Sequence, residues 1–168
     1  MLQSLVTSSY LPILNGILVT DLVIVLLTLG GFFASKYLTD YYRTYGISAI
    51  LLDILIIAVG FVIARVIYPM IFSSWSIWKF IALLLVIQVV HDVLFYLFIK
   101  SVSYGKHPLI DMLKRYADEV RGGAILGDSF MMVLSGLLAY WLTSLDMNTN
   151  IATLMIAGYI TLFAVHNI

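Results

Sequence analysis

Residues 77–99 read IWKFIALLLVIQVVHDVLFYLFI. Past Lys79 the stretch holds only Gln88, His91 and Asp92 as strongly polar side chains, and neither glycine nor proline interrupts it. About twenty mostly apolar residues cross a bilayer as a helix, so this segment is a membrane span with some length left for tilt. Working outward, the same criterion picks Ile17–Tyr37 and Ile47–Tyr68 before it, and Ala124–Leu142 and Ile151–Ile168 after it. The expected fold class is all-α: an integral membrane helical bundle of about five transmembrane helices. Residues 1–168 form one transmembrane domain.

Composition agrees. Of 168 residues, 62% are apolar and 11% charged, against roughly 45–50% and 25% in soluble domains. Nine basic and nine acidic residues leave no net charge, which removes the basic footprint that a nucleic-acid binder needs. Cysteine is absent, which excludes disulfides, thiolate metal sites and a cysteine nucleophile. The first apolar run has no basic residue ahead of it, and Phe32-Phe33-Ala34-Ser35 makes a poor cleavage site. It is expected to stay in place as an anchor.

Lysine and arginine set the direction of the spans. One set of connections holds Lys36, Arg43, Lys100, Lys106, Lys114, Arg115 and Arg121, and the other holds Lys79 with Arg65 nearby. This asymmetry predicts an outside N-terminus and an inside C-terminus. Trp75, Trp78 and Trp141 then fall at the outer interface, and Tyr37, Tyr41, Tyr42 and Tyr45 at the inner one.

Two pieces lie outside the spans. Residues 1–16 mix Leu2, Leu5, Val6 and Tyr10 with small polar residues. They are expected to lie in the outer interface, turning at Pro12 and Asn15-Gly16, or else to fray as a tail. The second piece, 108–121, is an amphipathic helix opened by Pro108. Leu109, Met112, Leu113, Tyr116 and Val120 recur on one face, opposite Asp111, Lys114, Arg115, Asp118 and Arg121. Gly122-Gly123 is expected to end it. It should lie on the inner membrane surface, packed over the mouth of the bundle. No internal repeat or low-complexity tract is evident.

Ionisable groups at membrane depth are costly, about 2.5–3.5 kcal/mol each on insertion scales, and are functional candidates for that reason. Asp53 lies about 10 Å in from one end of its span and Asp92 about 12 Å from the same surface, at helical rise. Asp128 stands seven residues beyond Arg121, and His166 and Asn167 end the last span on that side. Gln88, His91 and Asp92 share one helical face. The candidate ion or proton pathway is therefore Asp53, Gln88, His91, Asp92, Asp128 and His166, with Asp21, Arg65 and Asn167 as secondary members. Blander readings stand beside these. Asp21 would cap its helix beside Thr20, Arg65 would snorkel outward, Asp128 would be a helix N-cap, and the polar face of span three would be a knot between helices. Gly123 and Gly127 have the GxxxG spacing of a close helix contact. Met132, Ser135, Gly136 and Ala139 read as a packing seam.

The stretch His91–Met132 carries a His-Asp pair, a Tyr-Ala-x-Glu segment and the run Ala-Ile-Leu-Gly-Asp-Ser. On these residues it resembles uncharacterised small polytopic membrane proteins encoded by large DNA viruses of algae and protists. The resemblance implies a viral origin, in a host or virion membrane, and no catalytic activity.

Three functions are consistent with these residues. The leading expectation is a proton or ion pathway of channel or transporter type. Against it stand a structural or assembly protein of a membrane and a membrane-embedded lipid-modifying enzyme. No catalytic residue or metal ligand set can be assigned, and no phosphate-binding glycine loop or HExxH spacing is present. A haem held between His91 and His166, or a divalent ion among the carboxylates, is the cofactor chemistry available. The expected partners are the lipid bilayer and a second copy of the chain, with no nucleic acid.

Overall fold

A glycine pair decides where the first span stops. In the computed structural model, which describes residues 4–33 and 35–166, the first helix, α1, covers Tyr10–Leu29. Gly31 takes φ +75°. Its N–H bonds the Thr28 carbonyl at 3.1 Å and the Phe32 N–H bonds that of Leu27 at 2.9 Å. This is the Schellman arrangement, which satisfies the last carbonyls and turns the chain away. The span expected at Ile17–Tyr37 is thus shifted toward the N-terminus. Pro12 sits in the first turn, where a missing N–H costs nothing, so residues 10–16 are helix rather than an interfacial turn. Leu2, Asn167 and Ile168 lie outside the described residues.

The chain released by Gly31 forms a second amphipathic helix that the sequence reading did not separate from the span. Helix α2 covers Lys36–Tyr45. Ser35 caps it, its Oγ accepting from the Leu38 N–H at 3.1 Å. After Gly46 come α3 (Ile47–Ile71) and α4 (Ile77–Ser101), then α5 (Pro108–Val120), α6 (Gly123–Leu142) and α7 (Met147–His166). Helix α5 matches the amphipathic segment expected at 108–121. The residue that ends it is not a glycine, however. Arg121 itself takes φ +50°, a conformation costing an L residue about 1–3 kcal/mol.

Helices α1, α3, α4, α6 and α7 are long and apolar enough to cross a membrane. Their outer faces carry exposed Leu55, Val59, Val66, Val86, Leu94, Met155 and Ile156. A largely apolar perimeter of this kind suits lipid rather than water. Helix α1 is the central one: 61% of its apolar window is buried against 17% for α7. It packs on α3, α6 and α7, while α4 packs on α3 and α6.

The α1–α6 contact depends on Gly16, where a Cβ would sit 2.6 Å from the Ala139 backbone nitrogen. Ser135 and Ala139 are fully buried in this seam. Gly136 serves α4 instead, its missing Cβ leaving room for Ile81 at 3.2 Å. The GxxxG expectation for Gly123 and Gly127 fails, because a Cβ at Gly127 would meet nothing within 4 Å. Their helix turn projects past its neighbours, and close approach is made farther along α6.

Helices α2 and α5 lie together on one side of the bundle, hereafter the collar side. They are joined by Glu119, whose carboxylate accepts from the Ser35 hydroxyl at 2.5 Å and the Lys36 N–H at 3.2 Å. Lys114 is buried under the collar, its Nζ bonded to the Val102 carbonyl and 4.4 Å over the Tyr104 ring. The opposite, far side is closed by aromatic packing of Tyr68, Trp75, Phe80 and Tyr140. Trp75 is therefore half-buried among rings, whereas Trp78 and Trp141 are exposed as interfacial residues should be.

Candidate functional site

Shifting α1 toward its N-terminus moves Asp21 from the expected end of a span to its interior. The residue is 0% exposed, and neither carboxyl oxygen has a hydrogen-bond partner. It caps nothing. Neighbouring Thr20 spends its hydroxyl on the Gly16 carbonyl of its own helix, at 2.8 Å. Asp21 instead lies within electrostatic reach of Asp53 on α3.

Asp53 is held by the collar. The Tyr41 hydroxyl donates to one carboxyl oxygen at 3.1 Å and the Tyr42 hydroxyl to the other at 3.0 Å. Tyr41 also reaches the Ala49 carbonyl at 3.2 Å. Both rings are buried. Burial first, and the Asp53 carboxylate second, push both phenols well above their ordinary range. Each remains a donor at any physiological pH.

On the other side of the site, α4 presents Gln88, His91 and Asp92. The Gln88 amide donates to Asp92, and its oxygen accepts from the Ser129 hydroxyl of α6 at 2.9 Å. His91 Nδ1 stands 3.2 Å from Asp92 Oδ1, although adjacent helical positions diverge; the imidazole is 42% exposed. It stacks on Phe95 with centroids 5.8 Å apart.

Asp128 lies six positions into the register of α6, not at its N-cap. Its carboxyl faces that of Asp92, and Asp53 is also within electrostatic reach. Tyr116 on α5 completes the enclosure. Burial, and next the charge of Asp128, push its hydroxyl up to about 12.

Four acids from α1, α3, α4 and α6 thus form a chain of electrostatic neighbours, Asp21 to Asp53, Asp53 to Asp128 and Asp128 to Asp92. Among the described residues, the one ion pair is His91 with Asp92, and it is charged only when the imidazole is protonated. No lysine or arginine offsets the acids. Two facing carboxyls in a medium of low dielectric bind a proton or a cation between them more readily than both ionise. Tyrosine and glutamine donors position these groups without neutralising them.

Other candidates fall elsewhere. Arg65 belongs to the far side, where its Nη2 donates to the Val6 and Ser8 carbonyls at 3.0 and 2.8 Å. Its guanidinium lies 4.1 Å over the Tyr10 ring. It pins the N-terminal segment rather than lining the acidic cluster. His166 is exposed at the end of α7, and Asn167 lies outside the described residues. Helices α4 and α7 share no packed interface, so the fold does not bring His91 and His166 together by packing. Among the described residues, no group of three histidine or carboxylate side chains is placed to hold a metal ion.

Sequence reasoning missed Tyr41, Tyr42, Ser129 and Tyr116 as partners. Tyr41 and Tyr42 have the position of an interfacial belt and Tyr116 that of an apolar helix face, and nothing local distinguishes such rings from ones that fold back onto a carboxylate. It also missed a far-side knot. Asn15 Nδ2 donates to the Asn150 carbonyl at 2.7 Å, and Asn150 Nδ2 to Leu142 at 3.1 Å. Asn15 was assigned to a turn because glycine follows it. No protein-family model, curated protein or solved structure matches this chain.

Proposed function

We propose that this polytopic membrane protein is a proton pathway of channel or transporter type, with its titrating groups at Asp21, Asp53, Asp92 and Asp128. The observation that carries this reading is Asp21: fully buried, with neither carboxyl oxygen hydrogen-bonded, on a helix packed against the one that carries Asp53. Intramembrane carboxyls without a counter-charge are expensive and mark proton relays by default. The far-side knot differs in charge: Asn15 and Asn150 tie their helices through neutral amide donors, Asn15 Nδ2 to the Asn150 carbonyl and Asn150 Nδ2 to that of Leu142, with Asn15 Oδ1 alone left unpartnered. His91, 3.2 Å from Asp92, adds a second kind of titratable group to the cluster. The collar carries most of the lysine and arginine, so it faces the cytosol, with the N-terminus on the other side.

The test is proton flux into liposomes holding a pH-sensitive dye, under an imposed potential. The reconstituted protein should acidify the lumen faster than empty liposomes. Asp21→Asn and Asp53→Asn should each slow it by about tenfold or more, as loss of a relay group does. Unchanged flux in both variants would remove the proposal. In that case a structural role in a host or virion membrane, which the tight α1–α6 seam would serve, becomes the better reading.

A further inference from the structure

Two joints in this fold share one backbone conformation. Gly46 follows α2 at φ 50°, ψ −124°, and Arg121 follows α5 at φ 50°, ψ −127°. Laying one joint on the other aligns the flanking sequence without a gap. Leu38, Tyr41, Ala49, Ile50, Leu51 and Asp53 fall on Leu113, Tyr116, Ala124, Ile125, Leu126 and Asp128, each shifted by 75 positions. The match is an internal repeat that a scan by hydropathy alone passes over, since Ala-Ile-Leu runs are common in spans.

Packing repeats with it. The α1–α6 contact has its counterpart in α4–α3, α1–α3 in α4–α6, α2–α3 in α5–α6 and α1–α2 in α4–α5; α2 and α5 touch each other. Both α1 and α4 run toward the collar. These are two span–collar helix–span units that run in the same direction, with α7 packed on the first span. Helix α5 has 13 residues against 10 in α2, so the leading spans are not held in the same register as the joints.

Each unit carries one acid on its first span and one on the second span packed against it, within electrostatic reach of each other: Asp21 and Asp53 on α1 and α3, Asp92 and Asp128 on α4 and α6. Each also sets a collar tyrosine nearby, Tyr41 on Asp53 and Tyr116 within reach of Asp128. The unpartnered, fully buried Asp21 shows that the first pair is more than a hydrogen-bonded tie between helices. We infer that the protein is an internal duplication carrying two equivalent carboxyl sites, one per unit, and that each takes up one proton. This inference rests on reading the acids as a proton path, and it fixes the number and grouping of the sites.

Dicyclohexylcarbodiimide reacts with protonated carboxyls in apolar surroundings, leaving a stable N-acylurea adduct. The wild-type protein in liposomes is treated with it, and the adducts are mapped by peptide mass spectrometry. Modification is expected in both units, on Asp21 or Asp53 and on Asp92 or Asp128. The double variant Asp21→Asn with Asp53→Asn should lose the first unit's adduct and keep the second's; Asp92→Asn with Asp128→Asn should do the reverse. Adducts confined to one unit, or absent from both, would overturn the inference. The wild-type map decides the question even where a variant fails to fold. Two adducts without proton flux would leave two sites standing and sink the pathway; flux with one adduct would do the opposite.

Discussion

Two glycines of identical chemistry have opposite meanings in this bundle. Gly16 faces backbone: an added Cβ would meet Ala139 N at 2.6 Å and the Ser135 carbonyl at 2.8 Å. Neither atom can swing aside as a side-chain tip would. Gly127 faces open space. Gly16→Ala should therefore destabilise by about 1–3 kcal/mol through overpacking, more than the roughly 1 kcal/mol of helix propensity it gains. Gly127→Ala keeps that gain alone and should be stabilising or neutral. Thermal unfolding in detergent, followed by helical circular dichroism, checks both. Equal shifts for the two variants would contradict the assigned α1–α6 seam.

At the scale of elements, the collar is the part most open to pH. Its helices are tied by Glu119, exposed at the surface, whose carboxylate the Ser35 hydroxyl holds below its ordinary range. A carboxylate with a depressed native pKa stabilises the fold above its ordinary value, and the effect is lost as pH falls through the native one. The α2–α5 tie should thus be intact at neutral pH and release only in acid, below the usual carboxylate range. Hydrogen exchange at the Lys36 and Tyr37 amides, which face Glu119 at 3.2 and 3.4 Å, reports it. In Glu119→Ala these amides should lose their protection relative to the intrinsic exchange rate at each pH, with the spanning helices unaffected. Protection retained in the variant would show that the tie lies elsewhere.

For the whole molecule, the proposed direction of insertion rests on the distribution of lysine and arginine. Because the chain has no cysteine, single cysteines at Ser103 and Ser144 are clean reporters of the two sides. Ser103 stands in the α4–α5 connection on the collar side and Ser144 between α6 and α7. With seven helices folded as described, a membrane-impermeant maleimide applied to intact cells should label Ser144→Cys and spare Ser103→Cys until the membrane is opened. The reverse pattern would invert the orientation and place the acidic cluster in the outer leaflet.

By itself the sequence determined the membrane class, four of the five spans to within a few residues, and the amphipathic α5. These properties depend on hydropathy and on residues counted along one axis, which a bilayer of fixed thickness reads directly. What it could not determine was everything set by partners across helices. The Gly30-Gly31 stop moved Asp21 into the interior, and the turn after it made α2, which brought Tyr41 and Tyr42 onto Asp53. The close contact fell at Gly16 instead of Gly127. Tertiary structure decided these points because one helical face can meet any of several neighbours, and only the packed bundle says which.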